Sequence, residues 1–239
     1  MTFSIENLKI KLFADGADLN GMLKMNAKPH IKGLTTNPTL MRKAGITNYK
    51  TFAMEVLSQI REKPISFEVF SDDLEEMKRQ ASEIASWGEN VFVKIPVTNS
   101  LGISTSSVIE YLVQKGVKLN ITALMTTEQV ELVANVLNPS IPSFVSVFAG
   151  RIADTGRNPE PIMVESIELL KNNKNAELIW ASPRELLNIF QADQIGCHII
   201  TATHEILNKL DLVGYDLNTY SLETVQMFRR DAIASNYRI

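Results

Sequence analysis

Short apolar runs recur along the chain, separated by segments whose apolar residues fall at helical spacing. The runs at 8–14, 31–34, 65–69, 91–95, 118–122, 142–147, 177–181 and 197–201 predict strands. Helical spacing predicts helices over 18–25, 49–61, 72–87, 104–115, 159–170, 183–192, 204–210 and 222–234. Another runs from Thr126 or Thr127 to about residue 137, and a short helical turn lies near Arg151. The 72–87 helix is the clearest: Leu74, Met77, Ala81, Ile84 and Ala85 share one face, and Asp72 or Ser71 can cap it. Thr47 is the expected cap of 49–61. Strand–helix alternation of this kind predicts a parallel sheet with right-handed crossovers. Eight units favour closure into a barrel over an open doubly wound sheet. The open fold would need a Gly-rich phosphate loop after the first strand, and D-G-A-D-L-N-G at 15–21 is not G-x-G-x-x-G. No Pro/Gly/Ser-rich linker divides the chain. The expectation is one α/β domain over 1–239, a (β/α)8 TIM barrel with an extra C-terminal helix in a tail at 216–239.

Composition adds limits. A chain of 239 residues suffices for one large α/β domain or two small ones. A net charge of -3 and the lack of a basic stripe argue against a nucleic-acid partner. Cys197 is the single cysteine, which rules out an internal disulfide framework and fits a reducing cytoplasm. Residues 1–11 mix Glu6, Lys9 and Lys11 with apolar positions, unlike a signal peptide. No stretch approaches the roughly 20 apolar residues of a membrane span. A cytoplasmic protein without a membrane partner is expected. His30, His198, His204 and Cys197 show no metal-ligand spacing, so no metal site is expected.

One apolar run contains a residue that packing does not explain. In V-F-V-K-I-P-V-T at 91–98, Lys94 interrupts a buried strand, and a buried lysine is costly unless paired or neutral. It is either a snorkelling side chain or an amine held for chemistry. In barrels the active site lies at the C-terminal strand ends. The polar residues expected there are Asp15 and Asp18; Thr35, Thr36 and Asn37; Glu68; Lys94 and Thr98; Asn120 and Thr122; Ser146 with Phe148 and Arg151; Ser182 and Arg184; and His198 and Thr201. A desolvated lysine is a carbonyl nucleophile that forms a Schiff base. Asp15 and Glu68 can divide the proton transfers, and the Arg151 and Arg184 forks suit a phosphate monoester. Singly, each has a structural reading. Glu68 can simply pair with Lys94, Asp15 can cap a helix, Ser182 before Pro183 can be an N-cap, Arg184 can be a surface residue and His198 a core residue.

The chain resembles the transaldolase family of class I aldolases. The resemblance rests on F-A-D at 13–15, L-T-T-N-P-T at 34–39, F-E-V at 67–69, V-K-I-P-V-T at 93–98, N-I-T at 120–122, S-V-F-A-G-R-I at 146–152 and A-S-P-R at 181–184. It implies that Lys94 forms the Schiff base and that Asp15 handles the hydroxyl proton in carbon–carbon cleavage. Glu68 and Thr122 would hold the relay water. Thr35 would line the substrate site, and Asn37, Asn120 and Ser146 would hold a dihydroxyacetone unit. Arg151, Ser182 and Arg184 would bind the sugar phosphate, with Phe148 beside them. It implies no cofactor, sugar phosphates as partners, and a homo-oligomer, with a decamer as the form that short members adopt. Two activities belong to this resemblance: transaldolase, and fructose-6-phosphate aldolase, which releases dihydroxyacetone. The aldolases carry Gln and Tyr where this chain has Glu68 and Phe148, so transfer is favoured. From the residues alone, a non-catalytic sugar-phosphate-binding barrel is the third reading. The phosphate segment departs from the usual S-F-R by having Pro183, and 154–159 (D-T-G-R-N-P) lacks a common aromatic, leaving Arg157 at the anion site or in solvent.

Overall fold

The computed structural model describes residues 5–238. The first four residues of the segment read for a signal peptide, and the last residue of the 216–239 tail, lie outside them. After a 3-10 turn at Ile5–Asn7, strands and helices alternate. The first half contains β1 (Lys11–Asp15), α1 (Leu19–Asn26), β2 (Ile31–Thr35), α2 (Pro38–Lys43), α3 (Tyr49–Gln59), β3 (Ile65–Glu68), α4 (Leu74–Ala85) and β4 (Val91–Pro96). Next come α5 (Ser106–Gln114), β5 (Leu119–Leu124), α6 (Thr127–Val136), β6 (Ser143–Val147), α7 (Ala149–Asp154) and α8 (Glu160–Leu170). The chain ends with β7 (Ala176–Ala181), α9 (Leu187–Gln194), β8 (Ile199–Thr203), α10 (His204–Asn208), a 3-10 turn at Lys209–Leu212 and α11 (Leu217–Ala234). The eight strands close in sequence order, each parallel to its neighbours, so this is a (β/α)8 barrel with an added C-terminal helix.

Local chemistry explains the helix starts. Asp73, not Asp72 or Ser71, caps α4 by accepting from the Glu76 amide, and Met77, Ala81 and Ile84 then fall on its buried face. Asn48, not Thr47, caps α3. Thr126 and Gln129 form a capping box on α6. The α2 helix has no counterpart among the expected helices. Asn37 caps it and Pro38 occupies its first turn, where a missing N–H costs nothing. The helix expected over 183–192 starts only at Leu187, because Ser182 adopts a positive φ of 60° and the loop to 186 bends first. The last helix begins five residues earlier than the expected 222, where the Asp216 carboxylate accepts from the Thr219 amide.

Two apolar layers form. Between sheet and helices lies the main core, including Leu12, Leu34, Phe67, Ile95, Leu112 and Trp180. Inside the barrel, Phe13, Phe92, Phe144, Ile179 and Ile199 make a second cluster. Phe92 and Phe144 stack at 4.0 Å, with Phe13 edge-on to Phe144 at 5.5 Å. Phe13 fits because its neighbour on β2 is Gly33: a Cβ there would lie 2.4 Å from the Phe13 ring. Alternation along the strands then puts Asp15, Thr35, Lys94, Ser146 and Thr201 on this same interior face, one layer above the rings. The barrel is plugged with aromatic rings below and polar above. The α11 helix has no buried residue, and Leu217 is 79% exposed. No helix of the described residues is long and apolar enough to cross a membrane.

Candidate active site

A cavity of about 510 Å³ opens at the C-terminal ends of the strands. Register brings its central groups together. Glu68 on β3 pairs in register with Lys94 on β4, and Lys94 with Asn120 on β5. Lys94 is only 6% exposed. Its Nζ lies 3.1 Å from Glu68 Oε2 and donates to the Thr36 carbonyl at 3.0 Å. A buried cation with an anionic partner and a carbonyl acceptor is tolerated where an isolated one is not. The Glu68 backbone is held from behind: its carbonyl accepts from the Tyr49 hydroxyl at 2.8 Å. Burial pushes the Tyr49 phenol well above its ordinary range, so it stays a donor.

Asp15 closes β1 beside the same cavity. Its Oδ1 accepts from Thr35 Oγ1 at 2.7 Å. Asp15 shows part of its surface to the cavity but is otherwise enclosed by the barrel. Burial raises its carboxyl above the usual range, against the opposing pull of Lys94 and the Thr35 hydrogen bond; Glu68 adds to the rise. A carboxyl shifted upward toward neutrality is better suited to exchanging protons with a substrate.

The β5 side is set by a bulge. The β5–β6 register shifts between Ile121 and Leu124, and Ala123 takes a positive φ of 65° there. Thr122 precedes it; its Oγ1 is buried with no hydrogen-bond partner among the described residues, and Thr122 lines the cavity. Asn120 lies below the wall. It is fully buried, donates from Nδ2 to Ser66 Oγ at 2.9 Å and accepts at Oδ1 from Ser146 Oγ at 2.7 Å. Ser146 itself reaches the cavity, as does Asn37, whose side chain also caps α2.

Phe148, Arg151, Ser182 and Arg184 line the β6–β7 side. The Arg151 guanidinium sits 5.6 Å from the Phe148 ring centroid. Arg184 pairs with Asp154, its Nε lying 2.9 Å from Oδ1 and its Nη2 bonding Oδ2, and it donates to Ser182 Oγ at 3.2 Å. That pairing holds the Asp154 carboxyl below its usual range. Gly150 lets α7 press against this loop, since a Cβ there would lie 1.6 Å from the Ser182 carbonyl oxygen. Arg157 bonds Thr155 and lies outside the cavity lining.

Of the residues expected at the mouth, the cavity therefore gathers Asp15, Thr35, Asn37, Glu68, Lys94, Thr122, Ser146, Phe148, Arg151, Ser182 and Arg184. His198 is misplaced by the sequence reading. It precedes β8, at the opposite end of the barrel, and its Nδ1 accepts from the Leu178 amide. Asp18 caps α1. Thr201 does line the cavity, and so does Lys43, which the sequence reading missed. The signal for Lys43 was present: Asn37-Pro38 starts a helix whose last residue it is. The lining carries Lys43, Lys94, Arg151 and Arg184 against Asp15 and Glu68, a cationic excess that suits an anionic substrate.

Fold and site thus define a (β/α)8 barrel with a buried lysine–carboxylate pair at the mouth and guanidinium groups at its rim. The model of the transaldolase/fructose-6-phosphate aldolase family matches residues 12–237, and the chain belongs to that family. It is 32% identical over 215 residues to a probable transaldolase of Thermoanaerobacter sp. (strain X514), covering 90% of this chain and 94% of that one. To a probable transaldolase of Dehalococcoides mccartyi it is 33% identical over 202 residues, covering 84% and 90%. Among solved structures, a 2,3-dimethylmalate lyase of the PEP mutase/isocitrate lyase superfamily superposes with a TM-score of 0.54 at 13% identity, covering 95% and 86%. That likeness concerns the barrel fold alone.

Proposed function

We propose that this chain is a Schiff-base transaldolase that moves a dihydroxyacetone unit from a fructose 6-phosphate-type ketose to an aldose phosphate acceptor. The observation that carries the reading is Lys94, an amine buried at the cavity wall, paired with Glu68 and sharing the cavity with Asp15. The neutral Lys94 amine attacks the ketose carbonyl. Glu68 accepts the ammonium proton and, through water held at Thr122 Oγ1, returns protons as the carbinolamine loses water. Asp15 then removes the proton of the hydroxyl on the carbon that will leave. The bond between that carbon and the iminium-bearing unit breaks; its electron pair flows to the iminium nitrogen, leaving an enamine on Lys94. An incoming aldehyde reverses the sequence: Asp15 returns its proton to the new alkoxide, and water releases the product from Lys94. Arg151, Arg184 and Ser182 offer donors for the phosphate.

Glu68 and Phe148 support transfer over cleavage, because the aldolase-type members carry Gln and Tyr at those positions. The reading extends to the cytoplasm, consistent with the lone buried thiol of Cys197. It also extends to a homo-oligomer, supported by exposed Leu222, Val225, Phe228 and Ile233 on α11. The test compares fructose 6-phosphate turnover with and without erythrose 4-phosphate. Transfer predicts turnover only with the acceptor. Free dihydroxyacetone at equal rates without acceptor makes the chain an aldolase, and binding without turnover on any acceptor makes it a sugar-phosphate-binding barrel.

A further inference from the structure

Thr35 Oγ1 carries one hydrogen and gives it to Asp15 Oδ1 at 2.7 Å. The same oxygen lies 2.6 Å from Thr201 Oγ1. With its hydrogen committed to Asp15, Thr35 can only accept in the second bond, so Thr201 is the donor. Thr201 is placed for this by β8, whose residue 201 pairs in register with Phe13 on β1. It is 7% exposed and lines the cavity.

We propose that Thr201 is a positioning residue for Asp15, anchoring a Thr201–Thr35–Asp15 hydroxyl chain whose direction reverses when Asp15 takes up the substrate proton. The inference rests on the transaldolase reading for the role of Asp15. With Asp15 ionised, Thr201 donates to Thr35 and Thr35 to Asp15, and each bond strengthens the next. Once Asp15 holds the proton on Oδ1, it donates to Thr35, Thr35 donates to Thr201, and the Thr201 hydrogen turns to the cavity. Each threonine keeps its own hydrogen, and the only proton gained is the one taken from the substrate. The orientation of the chain therefore follows the protonation state of Asp15, and Thr201 acts on the reaction through Asp15.

Lys94 on β4 and Glu68 on β3 are the charged groups that act on Asp15. Behind it, the His204 ring on α10 packs against Gly16 and faces Asp18 at the start of α1. The test exploits the near-isosteric pair Thr201→Val and Thr201→Ser. Thr201→Val should lower kcat for transfer about tenfold with KM changed less than about twofold. It should also move the acidic limb of the kcat profile upward, because an ionised Asp15 loses support. Borohydride trapping on Lys94 should be undiminished, since imine formation uses Glu68. Thr201→Ser should restore both kcat and the limb. Should Thr201→Val fail to fold, Thr201→Ala provides the same comparison against Thr201→Ser. A valine variant with unchanged kcat and limb overturns the inference. So does equal impairment in the serine variant, which would mark a packing role, or a rise in KM alone, which would mark a substrate contact. Absence of any wild-type Lys94 adduct would instead overturn the underlying reading.

Discussion

Lys94 Nζ lies 3.1 Å from Glu68 Oε2, on adjacent parallel strands whose Cα atoms pair at those two residues. The barrel therefore sets amine and carboxylate side by side through backbone register rather than through a flexible loop. In the proposed reaction, the pair holds the proton that moves when the amine attacks the carbonyl. Glu68→Gln keeps the shape and removes the proton acceptor. The expected outcome is a fall of about 10²-fold in the rate of forming a borohydride-trappable adduct, with substrate KM little changed. Single-turnover trapping checks this, and an unchanged rate would remove Glu68 from the relay.

Asp15 should cost the protein stability at high pH. Its folded carboxyl is raised above the unfolded value, with burial the largest cause. A folded state that holds a proton more tightly than the unfolded state loses stability as pH rises through the folded value. The penalty is absent below the ordinary carboxylate range and complete above the raised one. Asp15→Asn should therefore melt higher than wild type near about pH 8, with the gap closing toward about pH 4. It should also lose transfer activity. Melting curves across that window check the sign, and a variant that melts lower at the upper pH contradicts it.

Arg184 is held by Asp154, with both side chains exposed. A phosphate must compete with that carboxylate for the guanidinium fork. Asp154→Asn should lower KM for the phosphorylated donor by about two- to fivefold and leave the melting temperature unchanged. Kinetics at low and high salt measure this; a raised KM would mean that Asp154 preorganises Arg184 instead.

Two glycines should fail in different ways. A methyl group at Gly33 would meet the Phe13 ring at 2.4 Å in the barrel interior. Gly33→Ala should cost about 1–3 kcal/mol of stability through overpacking. A methyl group at Gly150 would meet the Ser182 carbonyl oxygen at 1.6 Å, so the Ser182–Arg184 loop must move. Gly150→Ala should both lower stability and raise KM for phosphorylated donors, whereas Gly33→Ala should leave that KM unchanged. Denaturant titration and donor kinetics on both variants separate the two effects.

Strands were the most legible part of the chain because each buried run is short, apolar and followed by helical spacing. Positions lining the cavity are legible where a polar residue breaks such a run, as Lys94 and Glu68 do. Less was readable where the apolar run itself hides the strand boundary. The run at 197–201 reads two residues early: β8 spans Ile199–Thr203, so His198 precedes the strand at the end opposite the cavity. The depth of Asn120 depends on its partners Ser66 and Ser146, which lie on other strands. Lys43 is missed because α2 itself is not among the expected helices, and only the closed barrel turns the end of that helix toward the mouth. Ser182-Pro183 reads equally as a site residue or an N-cap; Ser182 takes a positive φ and the helix starts only at Leu187, so it is not the cap.

The central claim is that Lys94 forms a covalent imine with the donor. Borohydride added to protein and fructose 6-phosphate, followed by peptide mass spectrometry, tests it most directly. The account predicts one reduced adduct, on the peptide that contains Lys94, and none in Lys94→Ala. No adduct with any ketose phosphate, or an adduct on another lysine that survives Lys94→Ala, would contradict it.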